Sequence, residues 1–188
     1  MTNYNLPYTA RVTLRIVGKK TGGSDWLQTA YSIYSTRLRS NNLDLVTEWC
    51  RDGKDLLSKV SGDRARGVKV VVLDVEGTGI SSERFSKLLF EWIEEGGSRV
   101  TFVIGGAEGL PPELREGLGG GGGEAWRSTK EGGARRSTKE GGRVKTNEMN
   151  DACIKLSDMT FTHQFARTVL AEQVYRGSEI RKGTGYHK

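Results

Sequence analysis

A glycine-rich loop between an apolar strand and a proline-started helix is the segment best suited to hold a ligand. Phe102–Leu110 reads FVIGGAEGL, and prolines follow it directly. This layout is that of a phosphate-binding loop, but the Lys-Ser/Thr pair of a P-loop and the GxGxxG spacing of a dinucleotide site are both missing, and Glu108 would repel a phosphate. The loop therefore favours an uncharged or cationic ligand lying against the main chain, with a tight turn that needs positive φ as the alternative.

The two histidines are the side chains best suited to move protons at neutral pH. His163 precedes an amphipathic segment, where it is either a catalytic or substrate-contacting group or a capping or core residue. His187 follows Tyr186 in a terminal tail that nothing local holds in place.

The two cysteines, Cys50 and Cys153, lack the spacing of a metal or redox site. They form no CxxC motif and have no neighbouring histidine, which excludes a recognisable zinc or thioredoxin motif. We expect two buried, reduced thiols and no bound metal.

Strand and helix patterns alternate along the chain. Alternation with a period of two predicts a strand over 11–17, with its aliphatic residues in the core and its polar residues outside. A helix behind a Ser24 N-cap should follow, with a core face formed by Trp26, Leu27, Ala30, Ile33, Tyr34 and Leu38. A second strand starts at Leu43 and a short helix near Lys54.

The second half of the pattern contains the most strongly apolar strand. Val68–Val75 is apolar on both alternating faces, as in the centre of a parallel sheet. Further predicted elements are a helix from a Ser81 cap to Gly96, the strand Val100–Ile104, a short helix from Pro111, a strand from Ala152, and a last helix from His163 that ends near Gly177. The sequence predicts one α/β domain over 10–188, with a mainly parallel sheet flanked by helices.

Residues 117–150 differ from everything around them. They are glycine-rich and contain the sequence RSTKEGG twice, at 127–133 and 136–142. Such a segment buries too little apolar surface to offset its ordering entropy, so we predict a disordered insertion. It is either a basic arm that attracts a polyanion or an expanded surface loop.

Charge and hydropathy restrict the partners and the location. The net charge of +6 favours a polyanionic partner, most simply nucleic acid. No apolar run is long enough to cross a membrane, so we expect no membrane partner. We predict a cytoplasmic protein, with a plastid or mitochondrion as the alternative because residues 1–40 are rich in basic residues.

Four motifs together resemble one family of enzymes. They are LDVEG at 73–77, FVIGGAEGL at 102–110, LSDMTFTHQFARTVLAEQVYR at 156–176, and GYHK at 185–188. They are similar to the SPOUT methyltransferases, and within these to the branch that methylates N3 of a pseudouridine in large-subunit ribosomal RNA. The resemblance runs from about residue 11 to 188 without the insertion.

The resemblance implies a deep trefoil knot in the C-terminal half, a homodimer, and S-adenosylmethionine bound among three loops. The implied cofactor residues are Leu73, Gly105, Leu156, Ser157, Asp158, Met159, Thr160 and Phe161. Because this cofactor is a sulfonium without phosphate, the missing P-loop lysine is expected. The implied partner is large-subunit ribosomal RNA or the ribosome.

The same resemblance assigns candidate catalytic and RNA-binding residues. His163, Tyr186 and His187 would act at the methyl acceptor, with the tail reaching the active site of the dimer. Phosphate contacts would come from Arg167, Arg176, Arg181, Lys182 and Lys188, which are otherwise ordinary solvated charges. Another SPOUT enzyme with a different RNA target and a non-catalytic RNA-binding protein remain as alternatives.

Overall fold

The computed structural model describes residues 6–19, 26–116, 144–146 and 151–186. The elements in chain order are β1 (Ala10–Val17), α1 (Trp26–Arg39), β2 (Leu43–Cys50), α2 (Gly53–Ala65), β3 (Lys69–Gly79), α3 (Ser82–Glu95), β4 (Arg99–Ile104), α4 (Pro112–Arg115), β5 (Lys145–Thr146), β6 (Ala152–Lys155) and α5 (His163–Lys182). Most of the predicted insertion, at 117–143 and 147–150, lies outside the described residues, as does the predicted Ser24 cap.

The described strands form one sheet in the order β2-β1-β4-β3-β6-β5. All neighbouring pairs from β2 to β6 are parallel, and only the two-residue β5 is antiparallel to its neighbour. The predicted α/β class with a mainly parallel sheet is therefore confirmed. The trefoil knot stays a prediction.

The larger core lies between one face of the sheet and helices α1, α3 and α5. Phe102 on β4 is fully buried there and its ring lies 6.1 Å from those of Phe85 and Trp92 on α3. The predicted Ser81 cap of α3 is present, since its hydroxyl accepts a hydrogen bond from the Arg84 amide. At about 25 cal/mol per Å², burial of such aromatic rings is a dominant stabilising contribution.

The opposite face of the sheet packs against α2 and α4, and it corrects one sequence expectation. The polar side of β1 was predicted to face outside, but Thr13 and Arg15 are buried beneath α2. The Arg15 guanidinium donates to Asp63 of α2 at 2.6 and 2.9 Å, and to Glu48 at 2.5 Å. Pattern reading cannot distinguish a solvated arginine from one that a carboxylate neutralises inside the protein.

Helix α1 has the predicted extent but a different buried face. Tyr31 and Leu38 are buried, whereas Trp26 and Ile33, both assigned to the core, are 66 % and 47 % exposed. Tyr31 replaces them because its ring packs against α5 and its hydroxyl reaches the Leu45 carbonyl at 3.4 Å. Two apolar side chains of α1, Trp26 and Ile33, are thus left facing outward.

Helix α5 continues beyond its predicted end near Gly177. It ends at Lys182, where Gly183 adopts a left-handed φ of 72°. Gly177 is inside the helix because α3 crosses there: a Cβ at this position would lie 3.4 Å from Ser86 Cα, and the Ser86 hydroxyl donates to the Gly177 carbonyl at 2.6 Å. A glycine interpreted as a stop signal therefore serves close helix packing.

The C-terminal boundary of the insertion also shifts. Val144 is buried in the larger core, and residues 145–146 pair with β6. Residues 145–146 therefore belong to the sheet and Val144 to the core, although the sequence placed all three in the insertion.

Candidate methyl-donor site

Three adjacent strands bring the implied cofactor residues to one edge of the sheet. Leu73 of β3 is the register partner of both Ile104 on β4 and Ile154 on β6. Parallel neighbours lie about 4.8 Å apart, so the three residues form a row across the sheet. Gly105 directly follows this row, and the loop from Leu156 begins two residues beyond it. Ligands of open α/β sheets bind at such carboxyl ends.

The first loop is an irregularity within β3. The register with β6 shifts between Leu73 and Thr78, so residues 74–77 leave the ladder. Gly77 is pressed against the main chain of β6, because a Cβ there would lie 2.4 Å from the Ile154 carbonyl carbon. The irregularity therefore requires glycine and directs the intervening residues out of the sheet.

The glycine loop closes on itself as a tight turn. The Gly106 and Gly109 amides each donate to the carbonyl of the other, at 3.2 and 3.0 Å, and Gly109 has a φ of 85°. A Cβ on Gly105 would meet the Gly109 carbonyl carbon at 2.6 Å. The two interpretations of this loop, a turn that needs positive φ and a ligand-binding loop, are compatible, because the turn exposes main chain at this edge of the sheet. Any side chain on Gly105 would open the turn itself rather than only fill ligand space.

The third loop presents mostly exposed side chains. The Ser157 hydroxyl accepts from the Met159 amide at 3.0 Å, which forms a local turn. Asp158 is exposed and pairs with Lys155 at 2.5 Å, and Met159 is 73 % exposed. Phe161 is half-buried, with its ring 5.1 Å from Phe165 on α5.

His163 is the first residue of α5 and lies beside Gly18, whose chain neighbour Val17 packs on the glycine loop. A Cβ on Gly106 would lie 3.1 Å from Val17 Cγ1, and one on Gly18, the next residue, 3.3 Å from His163 Nε2. The imidazole also packs edge-on against Trp49 at 6.3 Å. The structure thus places His163 at the capped start of α5, beside Gly18 and Trp49, a position compatible with a capping or core residue and with a substrate-contacting group.

Tyr186 docks on the C-terminal half of α5 of the same chain. Its ring lies 4.9 Å from that of Tyr175 and the Arg176 guanidinium lies over it at 5.2 Å. Burial, together with a hydrogen bond to Tyr34, raises the pKa of Tyr186 to about 12. The tail was expected to lack local support, so this docking is a correction up to Tyr186. His187 lies outside the described residues.

The candidate phosphate-binding residues make contacts within the protein. Arg167 is 2 % exposed, stacks over Tyr31 at 4.4 Å, and donates to Gln28 at 2.9 Å. This burial removes Arg167 from the phosphate contacts. The prediction was wrong because the α1 aromatic residue and β2 Trp49 enclose the guanidinium, which a helical pattern does not reveal.

The remaining described cations are partly exposed on α5. Arg176 pairs with Glu172 at 2.5 Å, Lys182 with Glu179 at 2.6 Å, and the Arg181 guanidinium lies 4.0 Å over Phe90. An RNA phosphate would have to share or replace these partners. Lys188 lies outside the described residues.

Both cysteines are buried and unoxidised, as predicted. The pKa of the Cys50 thiol is raised, and burial is the largest cause of this shift. Among the described residues no group of histidine, cysteine, aspartate or glutamate side chains is arranged to hold a metal ion. Within the same ranges, no helix has the length and apolarity of a membrane span.

A surface groove of about 510 Å³ lies elsewhere, on the outer side of α3. Its lining is mixed in charge and shares no residue with the three loops: Ser81, Glu83, Arg84, Lys87, Leu88 and Glu91. This groove is not part of the candidate site.

The three loops fit a compact cation that carries an apolar group. The turn at Gly105–Gly109 offers main chain at close range. Each loop contains at least one carboxylate: Asp74 and Glu76, Glu108, and Asp158. Of these, Asp74 is paired with Arg115 and Asp158 with Lys155. Leu73 and Leu156 lie partly buried at the same edge and can contact an apolar ring. Asp74 lies within the LDVEG motif, and nothing in the sequence assigns it a role.

Comparison with known proteins agrees with this geometry. A family model described as predicted SPOUT methyltransferase matches residues 10–119 and 138–187, so the unmatched stretch falls inside the insertion. A protein of Protochlamydia amoebophila named ribosomal RNA large subunit methyltransferase H is 33 % identical over 93 % of this chain and 98 % of its own length. Proteins of the same name from Acidovorax sp. and Acetivibrio thermocellus are each 30 % identical, over 87 % and 95 % of this chain and 91 % and 99 % of their own lengths.

Proposed function

Because the chain belongs to the SPOUT methyltransferase family, we propose that it transfers a methyl group from S-adenosylmethionine to large-subunit ribosomal RNA, at N3 of a pseudouridine. The observation that carries the donor assignment is the register row of Leu73, Ile104 and Ile154, from which the three implied donor loops leave adjacent strands. The names of the curated relatives support the RNA substrate.

The protein would supply binding, orientation and exclusion of water. S-adenosylmethionine, when bound, supplies an electrophilic methyl group. Gly105 and its neighbours would hold the uncharged part of the donor against main chain, while the exposed carboxylate of Glu108 in the same loop would favour a cation. Holding donor and acceptor together in a fixed geometry supplies a large share of the rate in such reactions.

The acceptor nitrogen must lose a proton. Uracil N3 is weakly acidic, so a nearby base or a polar environment that favours its anion accelerates the transfer. His163 lies beside Gly18, one residue from the Val17 side chain that packs on Gly106, and is the described residue we assign to this end of the site. Tyr186 and His187 would complete it from a second subunit.

A homodimer is part of the proposal because the tail and the donor loops of one subunit are far apart. Tyr186 packs on Tyr175, which lies about 18 Å along the α5 axis from His163. The exposed apolar face of α1, with Trp26 and Ile33 two turns apart, is a suitable surface for a second copy of the chain.

The proposed substrate also bears on the remaining partners and on location. Arg176, Arg181 and Lys182 stay candidate phosphate contacts, at the tail end of α5. A ribosomal substrate requires a compartment that contains ribosomes, which is the cytoplasm, or a plastid or mitochondrion.

Calorimetric titration with S-adenosylmethionine and with its demethylated product tests the donor assignment. We expect both to bind at one site per chain and to raise the melting temperature as ligand concentration rises. A folded protein that binds neither would contradict the assignment and favour a non-catalytic RNA-binding protein.

A further inference from the structure

We propose that Arg115 is a positioning residue that holds two of the three donor loops in place, the first through an ion pair with Asp74 and the second by packing on Gly109. The Arg115 Nε donates to Asp74 Oδ2 at 3.0 Å, across the edge of the sheet from α4 to the first loop. That these loops bind a methyl donor rests on the proposed function, whereas the contact between Arg115 and Asp74 is present in this chain whatever the ligand.

The carboxylate of Asp74 is fixed from two sides. Its Oδ1 accepts a hydrogen bond from the Glu76 amide at 2.9 Å, which sets the turn where residues 74–77 leave β3. Its Oδ2 accepts from Arg115, and the side chain is only 7 % exposed. Because Leu73 directly precedes Asp74, the orientation of this carboxylate fixes the main chain beside an implied donor contact.

Arg115 also covers the glycine loop. A Cβ on Gly109 would lie 3.3 Å from Arg115 Nη2, so the guanidinium rests against the main chain of that turn. One side chain thus contacts the first loop by an ion pair and the second by van der Waals contact.

The backbone that carries Arg115 is itself anchored. The neighbouring Leu114 is fully buried in the core beneath the sheet, together with Leu110. Pro111 packs against α2, since a Cβ on Gly53 would lie 3.0 Å from its Cγ. The guanidinium therefore extends from a rigid support toward two loops that are more exposed.

A positioning role predicts effects on the donor and little effect on folding. Half-exposed ion pairs contribute little to global stability, and the Arg115 side chain is 50 % exposed. Loops that lose such a contact must be ordered again when ligand binds, which weakens affinity.

The test compares Arg115→Gln with Arg115→Lys and with the control Arg11→Gln. Arg11 pairs with Asp44 at 3.3 Å at the opposite edge of the sheet, and its side chain is 63 % exposed. We expect Arg115→Gln to weaken S-adenosylmethionine binding by about tenfold and to raise the donor KM, with kcat at saturating donor, RNA KM and melting temperature unchanged. Arg115→Lys should recover part of the affinity, and Arg11→Gln should bind as the wild type does.

Amide hydrogen exchange keeps the test independent of the donor. In the ligand-free protein Arg115→Gln should accelerate exchange in both 74–77 and 105–110, and Arg11→Gln should not. Accelerated exchange together with a wild type that fails to bind S-adenosylmethionine would contradict the proposed function and leave the positioning role supported. Unchanged exchange in both loops, or equal losses in Arg115→Gln and Arg11→Gln, would overturn the positioning role.

Discussion

Tyr186 packs against Tyr175 with ring centroids 4.9 Å apart, which fixes the last described residue of the chain on the half of α5 farthest from His163. The family resemblance assigned Tyr186 and His163 to the same methyl-acceptor site. About 18 Å of helix axis separates His163 from Tyr175, on which Tyr186 packs, so one subunit cannot bring His163 and Tyr186 to the same methyl group. If both residues act on one methyl acceptor, His163 and Tyr186 must therefore come from different subunits of a dimer.

Removal of the tail should separate methyl transfer from donor binding. We expect deletion of 185–188 to lower the transfer rate by about 10²- to 10⁴-fold, since an orienting or acid-base group is lost, and to leave donor affinity unchanged. Single-turnover methylation and calorimetry measure the two effects. Mixing this variant with Gly105→Ala, whose Cβ would collide with the Gly109 carbonyl carbon, should restore activity in heterodimers. Verified heterodimers without any activity would refute a site shared between subunits.

The apolar face of α1 should determine the oligomeric state. Ile33→Glu places a charge on a side chain that is 47 % exposed, so it should leave the fold intact and convert a dimer to monomers. Light scattering after size exclusion measures the mass. Tyr8→Ser, at an exposed position outside α1, should remain dimeric. An Ile33→Glu protein that stays dimeric would move the interface elsewhere.

The buried pair of Arg15 and Asp63 should make stability depend on acid pH. Burial alone would raise the pKa of Asp63, but the Arg15 guanidinium, with Thr101 and Arg66, outweighs it and holds the pKa below its usual value. A lowered carboxyl pKa gives stability that is present above about pH 4 and is lost as pH falls through the folded value.

Asp63→Asn should therefore lower the free energy of unfolding at pH 7 by about 3 kcal/mol, because it leaves a buried guanidinium with Glu48 as its remaining carboxylate. Urea unfolding at pH 7 and at pH 3 tests both parts. The difference between wild type and variant should shrink at pH 3, and an equal difference at both pH values would contradict the linkage.

The segment that the family model does not match should be dispensable for catalysis. Deletion of 120–137 leaves Val144 and β5 in the sheet, so we expect methyl transfer within about tenfold of the full chain. Initial rates at two salt concentrations measure whether the basic arm adds attraction to RNA. A folded deletion variant without activity would show that the insertion is part of the active structure.

The sequence predicted the order of elements because local patterns encode it. The strand at 68–75, apolar on both faces, was predicted to be covered on each side, and Val71 indeed lies in the larger core while Val70 and Val72 lie in the core on the opposite face of the sheet. The features that the sequence pattern did not predict depend on residues distant in the chain. Arg15 is buried because Asp63 neutralises it, and Gly177 lies inside a helix because α3 crosses α5 there at Ser86.

The candidate site divides in the same way. The segments that the resemblance implies for the donor follow the ends of the adjacent strands β4, β3 and β6, since strand ends in a parallel sheet converge by topology. The contact between Asp74 and Arg115 joins residues far apart in the chain, and no periodicity points to it. Arg167 was misassigned because a helical arginine reads as solvated unless its aromatic neighbours are known.

The central claim is methyl transfer to a pseudouridine of large-subunit ribosomal RNA, and mass spectrometry of modified RNA tests it most directly. Purified protein, S-adenosylmethionine with an isotopically labelled methyl group, and ribosomes that lack the modification are incubated together, and the RNA is digested to nucleosides. The account predicts labelled N3-methylpseudouridine from the large-subunit RNA of the reaction and none with Gly105→Ala. Label in transfer RNA or at another base, or no label from a protein that binds the donor, would contradict it.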